Sequence, residues 1–345
     1  MDSPRRDREY PGSYAEMRAW FPDDAACLDY LDWLRWRAGF ACPHCGDRRS
    51  WRLPDGRRSC GGCARRISPT AGTIFHRTRT PLTVWFAAAW HITTQKNGAS
   101  ALGLKRVLGL GSYQTAWAML HRYRSAMIRP GRDRLRGTVE VDESAFGGPR
   151  PGKRGRGAAG KVLVGIAIER HDPRGFGRCR LAVIEDASAK SLRSFLFATV
   201  EPGATVVTDG LTAYPPAVLA DYPHEPVNVG ASGLPAHIVL PGVHRVASLA
   251  KRWLLGTHQG AIEADHLGAY LDEFAFRFNR RTSRARGMLF YRLLEQAVVT
   301  APMPYAEIVA NGRPKRTRPT APASRRLPGS LAITAPARPW RAASA

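Results

Sequence analysis

The sequence predicts an α/β fold, a sheet covered by helices, placed behind a cysteine-bearing module and a helical segment. Three observations lead there. From residue 138 the apolar pattern takes a period of two: TVEVDESAF, KVLVGIAIER and CRLAVIED read as strands, ASAKSLRSFLFATV as a helix and GATVVTDG as a fourth strand. Before it, residues 81–129 repeat apolar side chains at helical spacing. Earlier still, two CxxC pairs, Cys42/Cys45 and Cys60/Cys63, are separated by the fourteen residues 46–59. A chain of 345 residues has room for two or three domains with cores of their own.

The cysteine module spans residues 20–70. Each CxxC knuckle turns tightly enough to aim two thiolates at one ion, and LPDGRR between them reads as the hairpin turn that brings the knuckles together. Four thiolates at this spacing suit one tetrahedral Zn²⁺, which would organise a ribbon too small for a core of its own. His44 lies inside the first knuckle, but four sulfurs already complete the shell. Cys27 and Cys179 have no sequence partner, and in a reducing compartment the pattern points to metal and not to disulfides. Arg57, Arg58 and further arginines surround Trp51 in the ribbon, a composition suited to nucleic-acid contact.

Residues 78–130 form the helical segment. PLTVWFAAAWHITTQ places Pro81 at a first turn. A short helix follows, then a turn holding Gly109 and Gly111, then a longer helix with Ser112 at its cap. Two helices around a short turn fit a helix-turn-helix, and the second carries Tyr113, Gln114, Arg122 and Arg124 as candidates for DNA contact. The α/β domain is read as residues 136–300, closed by the helical stretches HRVASLAKRWLLG, ADHLGAYLDEFAFRFNRR and GMLFYRLLEQAVV. Residues 311–345, rich in Pro, Ala and Arg without apolar period, read as a disordered basic tail.

Charge narrows the function. Lys and Arg number 52 against 28 Asp and Glu, a formal net charge of +24 spread over the whole chain. Such a surface concentrates polyanions and releases counterions from nucleic acid on binding. No apolar run approaches the ~20 residues that span a bilayer. The start, MDSPRRDREYPGSY, has no apolar stretch after its charges, so the expected location is cytoplasmic.

Two acids interrupt this basic chain at notable places. Asp142 in VEVDESAFGG and Asp209 in VVTDG are read at the ends of the first and fourth strands. Carboxylates on rigid strand ends suit Mg²⁺ or Mn²⁺, and two acids sharing such ions form the core of two-metal phosphoryl transfer. Taken alone, each reads as a turn residue ahead of a ligand; the cysteine module, the helix-turn-helix and the +24 charge weaken that reading. Glu143 points to the opposite face of the strand from Asp142.

The chain resembles the DDE-type insertion-sequence transposases that carry an N-terminal zinc ribbon and an ISXO-like catalytic domain. The resemblance covers roughly residues 20–300 and rests, in order, on CPHCG and CGGC, TTQKNGASALGLKRVLGLGSYQTAWAMLHRYR, VEVDESAFGG, VVTDGLTAY, KRWLLGTHQG and HLGAYLDEFAFRFNRR. It implies a ribonuclease-H-like fold, Mg²⁺- or Mn²⁺-dependent cutting and joining of double-stranded DNA at transposon ends, and a homo-oligomer on that DNA. Its first two metal-binding aspartates match Asp142 and Asp209, and a lysine after the third catalytic position matches Lys251.

At the third position the chain departs from the pattern. The family's glutamate seven residues before the lysine, or its asparagine two before, is replaced here by His244 and Leu249. His244 follows Asp209 by thirty-five residues and shares a helical face with Lys251. A packing role for His244 stays open, as do Glu263, Asp265, Asp272 and Glu273 as substitute acids. The rival reading is a catalytically degenerate or domesticated transposase that only binds DNA.

Overall fold

The computed structural model describes residues 4–311 except 7, 130, 148–160, 172, 174, 211–218, 228–232, 234 and 261. The arginine-rich loop 148–160 and the basic tail from 312 onward therefore lie outside the described residues. Two compact units emerge, Met1–Gln95 with Ala101–Ala126 and Ala285–Ala345, and Lys96–Ser100 with Met127–Arg284. Among the described residues no helix is long and apolar enough to cross a membrane.

The first unit opens with α1 (Tyr14–Trp20) and α2 (Asp24–Arg35). Ser13 and Asp23 cap them by accepting the N–H groups of Glu16 and Ala26 at 3.1 and 2.8 Å. Strands β1 (Ser50–Arg52), β2 (Arg58–Cys60) and β3 (Arg66–Ile67) make a small antiparallel sheet in sequence order. The LPDGRR turn closes it, Leu53 N–H donating to Arg57 O at 2.8 Å with Gly56 at φ +76°. Helices α3 (Leu82–Thr94), α4 (Ala101–Val107) and α5 (Tyr113–Ala126) follow. Nearly every face of α3 is buried, including Trp85, Phe86 and Trp90, which makes it the axis of this unit. Ser112 caps α5, its Oγ accepting Gln114 N–H at 3.1 Å.

The second unit holds β4 (Thr138–Phe146), β5 (Val162–Arg170), β6 (Phe176–Val183), α6 (Ala189–Thr199), β7 (Thr205–Thr208), β8 (His224–Pro226), α7 (Ala236–Val239), α8 (Pro241–His258) and α9 (Ala264–Phe278). Its five-stranded sheet has the order β6-β5-β4-β7-β8. The pairs β6–β5 and β5–β4 are antiparallel, while β4–β7 and β7–β8 are parallel. Alternation along β4 builds two layers. Val139 and Val141 pack with Leu192, Phe195 and Leu196 of α6, and Phe146 packs with Val243, Val246 and Ala250 of α8 on the other face.

The chain then supplies two more helices to the first unit, α10 (Arg286–Ala297) and α11 (Tyr305–Asn311). This corrects the domain boundary expected at residue 300. Phe290 of α10 stands against Phe86, with ring centroids 5.8 Å apart, so the apolar stripe of α10 completes the aromatic core around α3. A second correction concerns Asp142, which lies in the middle of β4 and not at its end. The β4–β5 ladder continues from Thr138↔Arg170 to Phe146↔Val162, whereas the parallel ladder to β7 runs only to Glu140↔Val207. Asp142 thus sits in the strand centre but just past the shorter ladder.

Candidate active site and metal centres

The four cysteines of the ribbon converge. One ligand atom from each of Cys42, Cys45, Cys60 and Cys63 lies within 4.8 Å of all the others. The pairs Cys42–Cys63 and Cys45–Cys60 have sulfurs 3.7 and 3.5 Å apart. Thiolates about 2.3 Å from a tetrahedral Zn²⁺ stand about 3.8 Å from one another, so the set fits that ion. Desolvation opposes ionisation of Cys42, but the N–H groups of His44 and Cys45 overcome it and hold the thiol below its usual range. The apolar cluster beside them is only Phe40, Cys42, Cys60 and Ile67, flanked by Trp36 and Cys63. His44 is outside the sulfur cluster, its Nδ1 2.8 Å from Arg65.

The DNA-contact candidates divide. Gln114 and Tyr113 are exposed at the start of α5, and Trp51 is exposed on β1. Arg57 stays at the surface, paired with Asp55 at 2.7 Å. Arg58 is instead clamped by both carboxylate oxygens of Asp32, at 2.8 and 2.5 Å, and lies over the Trp36 ring, so its role is to tie the ribbon to α2. Arg124 is 1% exposed, four residues from Leu120 on the buried stripe of α5, and does not face solvent. Arg122 donates from Nε to Met303 O at 3.0 Å, anchoring the segment before α11. Arg58 and Arg122 are thus half-buried and engaged within the first unit and Arg124 is buried, which leaves Arg57 and Gln114 as the surface candidates of this set.

In the second unit β4, which carries Asp142, lies beside β7, which Asp209 follows. Thr138, Val139 and Glu140 pair in parallel with Thr205, Val206 and Val207. The ladder ends at Glu140↔Val207; Asp142 lies two residues past it on β4, and Asp209 two residues past it, just after β7. Helix α8 packs on the same face of β4. Pro241 occupies its first turn, where a missing N–H costs nothing, and Val243, Val246, Ala247, Ala250 and Leu254 form its buried stripe. His244 and Lys251 flank that stripe. Lys251 Nζ donates to Ser144 Oγ at 2.8 Å and lies 5.2 Å from the centroid of the Phe146 ring. Partial burial lowers the Lys251 pKa, as does Lys161, while the Asp142 carboxylate opposes the shift. Burial also lowers the His244 pKa; His237 and Lys251 push the same way and Asp209 pulls against them. Asp142, Lys251, His244 and Asp209 are thereby linked in one electrostatic chain.

Glu140 escapes sequence reasoning. It is fully buried two positions before Asp142, on the same face of β4, and its Oε2 accepts the N–H groups of Gly242 and Val243 at 2.7 and 3.1 Å. It thereby caps the helix that carries His244 and Lys251. Burial pushes its carboxyl up, and the two N–H groups and Arg170 oppose that shift. The approach is close enough to require glycine: a Cβ on Gly242 would lie 2.7 Å from Glu140 Oε2 and 2.8 Å from Ile168. The available signal is the alternation of VEVDE, which puts Glu140 and Asp142 on one face. Glu140→Ala is expected to destabilise this unit by about 2–4 kcal/mol, because two buried N–H groups lose their acceptor. A urea titration checks this, and Glu140→Gln, which keeps an acceptor oxygen, should lose less.

The alternative acids all belong to α9 or its start. Glu263 and Asp265 stand at the start of α9, and Asp272 and Glu273 are buried within it. Glu273 borders the 96–98 segment, where a Cβ on Gly98 would lie 2.7 Å from its Oε1.

Residues 134–279 match the ISXO2-like transposase domain, and residues 22–66 match the transposase zinc-ribbon domain. The chain belongs to the zinc-ribbon, ISXO2-like transposase family. A relative from Halobacterium salinarum, described as an uncharacterized protein in transposable element ISH50, is 28% identical over 279 residues, covering 74% of this chain and 91% of the relative. Both matched segments of this transposase contain the sites just described: the four cysteines fall within 22–66, and Asp142, Asp209, His244 and Lys251 fall within 134–279.

Proposed function

We propose that this transposase cleaves and joins DNA at the ends of an insertion sequence, using Asp142 and Asp209 to hold divalent metal ions on a ribonuclease-H-like sheet. What supports the proposal is the parallel β4–β7 ladder, past which Asp142 and Asp209 each lie two residues on, and the electrostatic influence of Asp209 on His244 and of Asp142 on Lys251. The strand order, three antiparallel strands followed by two parallel ones, supports the ribonuclease-H-like reading. Two carboxylates with an imidazole fit Mn²⁺ well and Mg²⁺ less well, since nitrogen donors suit the softer ion. When bound, the ions supply activation of the attacking oxygen and stabilisation of the leaving oxygen.

The chain's own groups do the rest. Ser144 and the Phe146 ring hold the Lys251 ammonium beside Asp142, with further N–H donors for a phosphodiester oxygen. Glu140 fixes the helix that presents Lys251 and His244. Water is the first nucleophile and a DNA 3′-hydroxyl the second, with no covalent enzyme intermediate. Exposed Trp51 on the ribbon and exposed Gln114 at the start of α5 support recognition of the terminal DNA by the ribbon and the helix-turn-helix. Paired cutting of two ends calls for at least a dimer on DNA.

A nicking assay on end-containing DNA tests the reading. Activity is expected to be higher in Mn²⁺ than in Mg²⁺, and His244→Glu is expected to raise the Mg²⁺ rate by restoring a carboxylate. Intact DNA binding with no cleavage in either metal would favour the rival reading, a DNA-binding protein whose third ligand has been lost to His244.

A further inference from the structure

The turn that carries Asp209 is held on both sides of that residue. Thr208 ends β7 and is fully buried, and its Oγ1 accepts the N–H of Gly210 at 3.3 Å, closing a hydroxyl turn around Asp209. Gly210 sits at φ +72°, a left-handed conformation that glycine adopts without strain. The same Oγ1 lies 2.9 Å from Nε2 of His224 on β8. Thr208 O in turn accepts the N–H of Val227 at 2.9 Å. The two neighbours of Asp209 are thus tied to each other, and Thr208 is tied to the adjacent strand by side chain and backbone.

Register explains why His224 arrives there. The parallel ladder pairs Val206 with His224 and Thr208 with Pro226. Residues two apart on a strand share a face, so His224 stands diagonal to Thr208 on one face of the sheet, within reach of a ring nitrogen. The donor count then gives the direction of the bond. A hydroxyl has one donor and two acceptor sites, and Gly210 N–H occupies one of the acceptor sites. A buried donor needs a partner, so the Thr208 O–H donates to Nε2, which assigns a neutral His224 with its proton on Nδ1. Burial lowers the His224 pKa, the direction that keeps the ring neutral. The backbone ladder of β8 would hold the strand without this side-chain bond; what the bond adds is a fixed Thr208 hydroxyl at the turn.

We propose that Thr208 and His224 are positioning residues that orient the Asp209 carboxylate for a divalent ion. The inference rests on the metal-holding role proposed for Asp209 and adds the groups that aim it. The test is a Mn²⁺ titration of the full, zinc-loaded chain, read as loss of the free-ion electron paramagnetic resonance signal, with cleavage of end-containing DNA measured in parallel. Thr208→Val keeps the shape of the buried side chain and removes the hydroxyl. It is expected to weaken Mn²⁺ binding by about 10–100-fold, and to lower kcat for cleavage while leaving KM for DNA within about twofold. Thr208→Ser, which restores the hydroxyl, should recover most of the loss. A threonine that served folding alone would lower the melting temperature without moving the Mn²⁺ affinity of the folded chain. Should Thr208→Val fail to fold, His224→Leu reads the same quantities. Wild-type Mn²⁺ affinity in either folded variant, beside an Asp209→Asn chain that has lost it, would overturn the positioning role and leave the metal-holding role intact. Wild-type affinity in Asp209→Asn, or no Mn²⁺ binding by the native chain, would overturn both.

Discussion

Asp142→Asn and Asp209→Asn are each expected to lower metal-dependent strand cleavage by at least about a thousandfold, ~4 kcal/mol of transition-state stabilisation at about 1.4 kcal/mol per decade. DNA binding should stay within about twofold, because the contacts proposed for it lie elsewhere. The Asn exchange isolates charge from shape. Asp142 Oδ1 accepts Glu143 N–H at 2.7 Å, and an asparagine Oδ1 accepts it equally, so the strand keeps its local hydrogen bond. What disappears is the charge of the carboxylate proposed to hold a divalent ion, which also attracts the Lys251 ammonium. A melting temperature unchanged beside the lost activity would separate catalysis from folding.

Cys60→Ser carries the second large effect. Cys60 is fully buried and closes the sulfur cluster from β2, where the small apolar cluster cannot hold the knuckles together alone. Structural zinc in such modules contributes about 10–16 kcal/mol of binding free energy that is also folding free energy. The wild-type chain should hold close to one zinc per molecule, and Cys60→Ser should lose it along with end-specific DNA binding. Metal analysis of purified protein decides the matter, a full zinc complement in the variant being the contrary result. Removing zinc by a chelator should reproduce the variant.

The strands are legible where alternation is long. β4 has the bounds that its period marks, 138–146, and β5 and β7 fall inside the stretches that theirs mark. β8 is three residues, too short for any period to register. The unit to which α10 belongs is not legible, because an apolar stripe shows that a helix packs without showing on what. Arg124 misleads for a related reason: charge type suggests an outer position, and only the face shared with Leu120 reveals the inner one. Asp142 and Asp209 are legible as strand-associated acids, the first within β4 and the second just after β7, whereas Lys251 and the position of His244 are read through the family resemblance. The parallel neighbourhood of β4 and β7 is not legible, since it pairs segments sixty-seven residues apart, 140 with 207. Glu140 needs more still, because its role exists only once the N-terminus of α8 is known to land on β4.

The metal-holding role of Asp142 and Asp209 is tested most directly by locating Mn²⁺ through anomalous diffraction from crystals grown with that ion. The expected result is a Mn²⁺ peak within coordinating distance, about 2.1–2.2 Å, of carboxylate oxygens from both Asp142 and Asp209, lost in Asp142→Asn. A peak bound by other acids, or none at these two while the sheet is intact, would contradict that role.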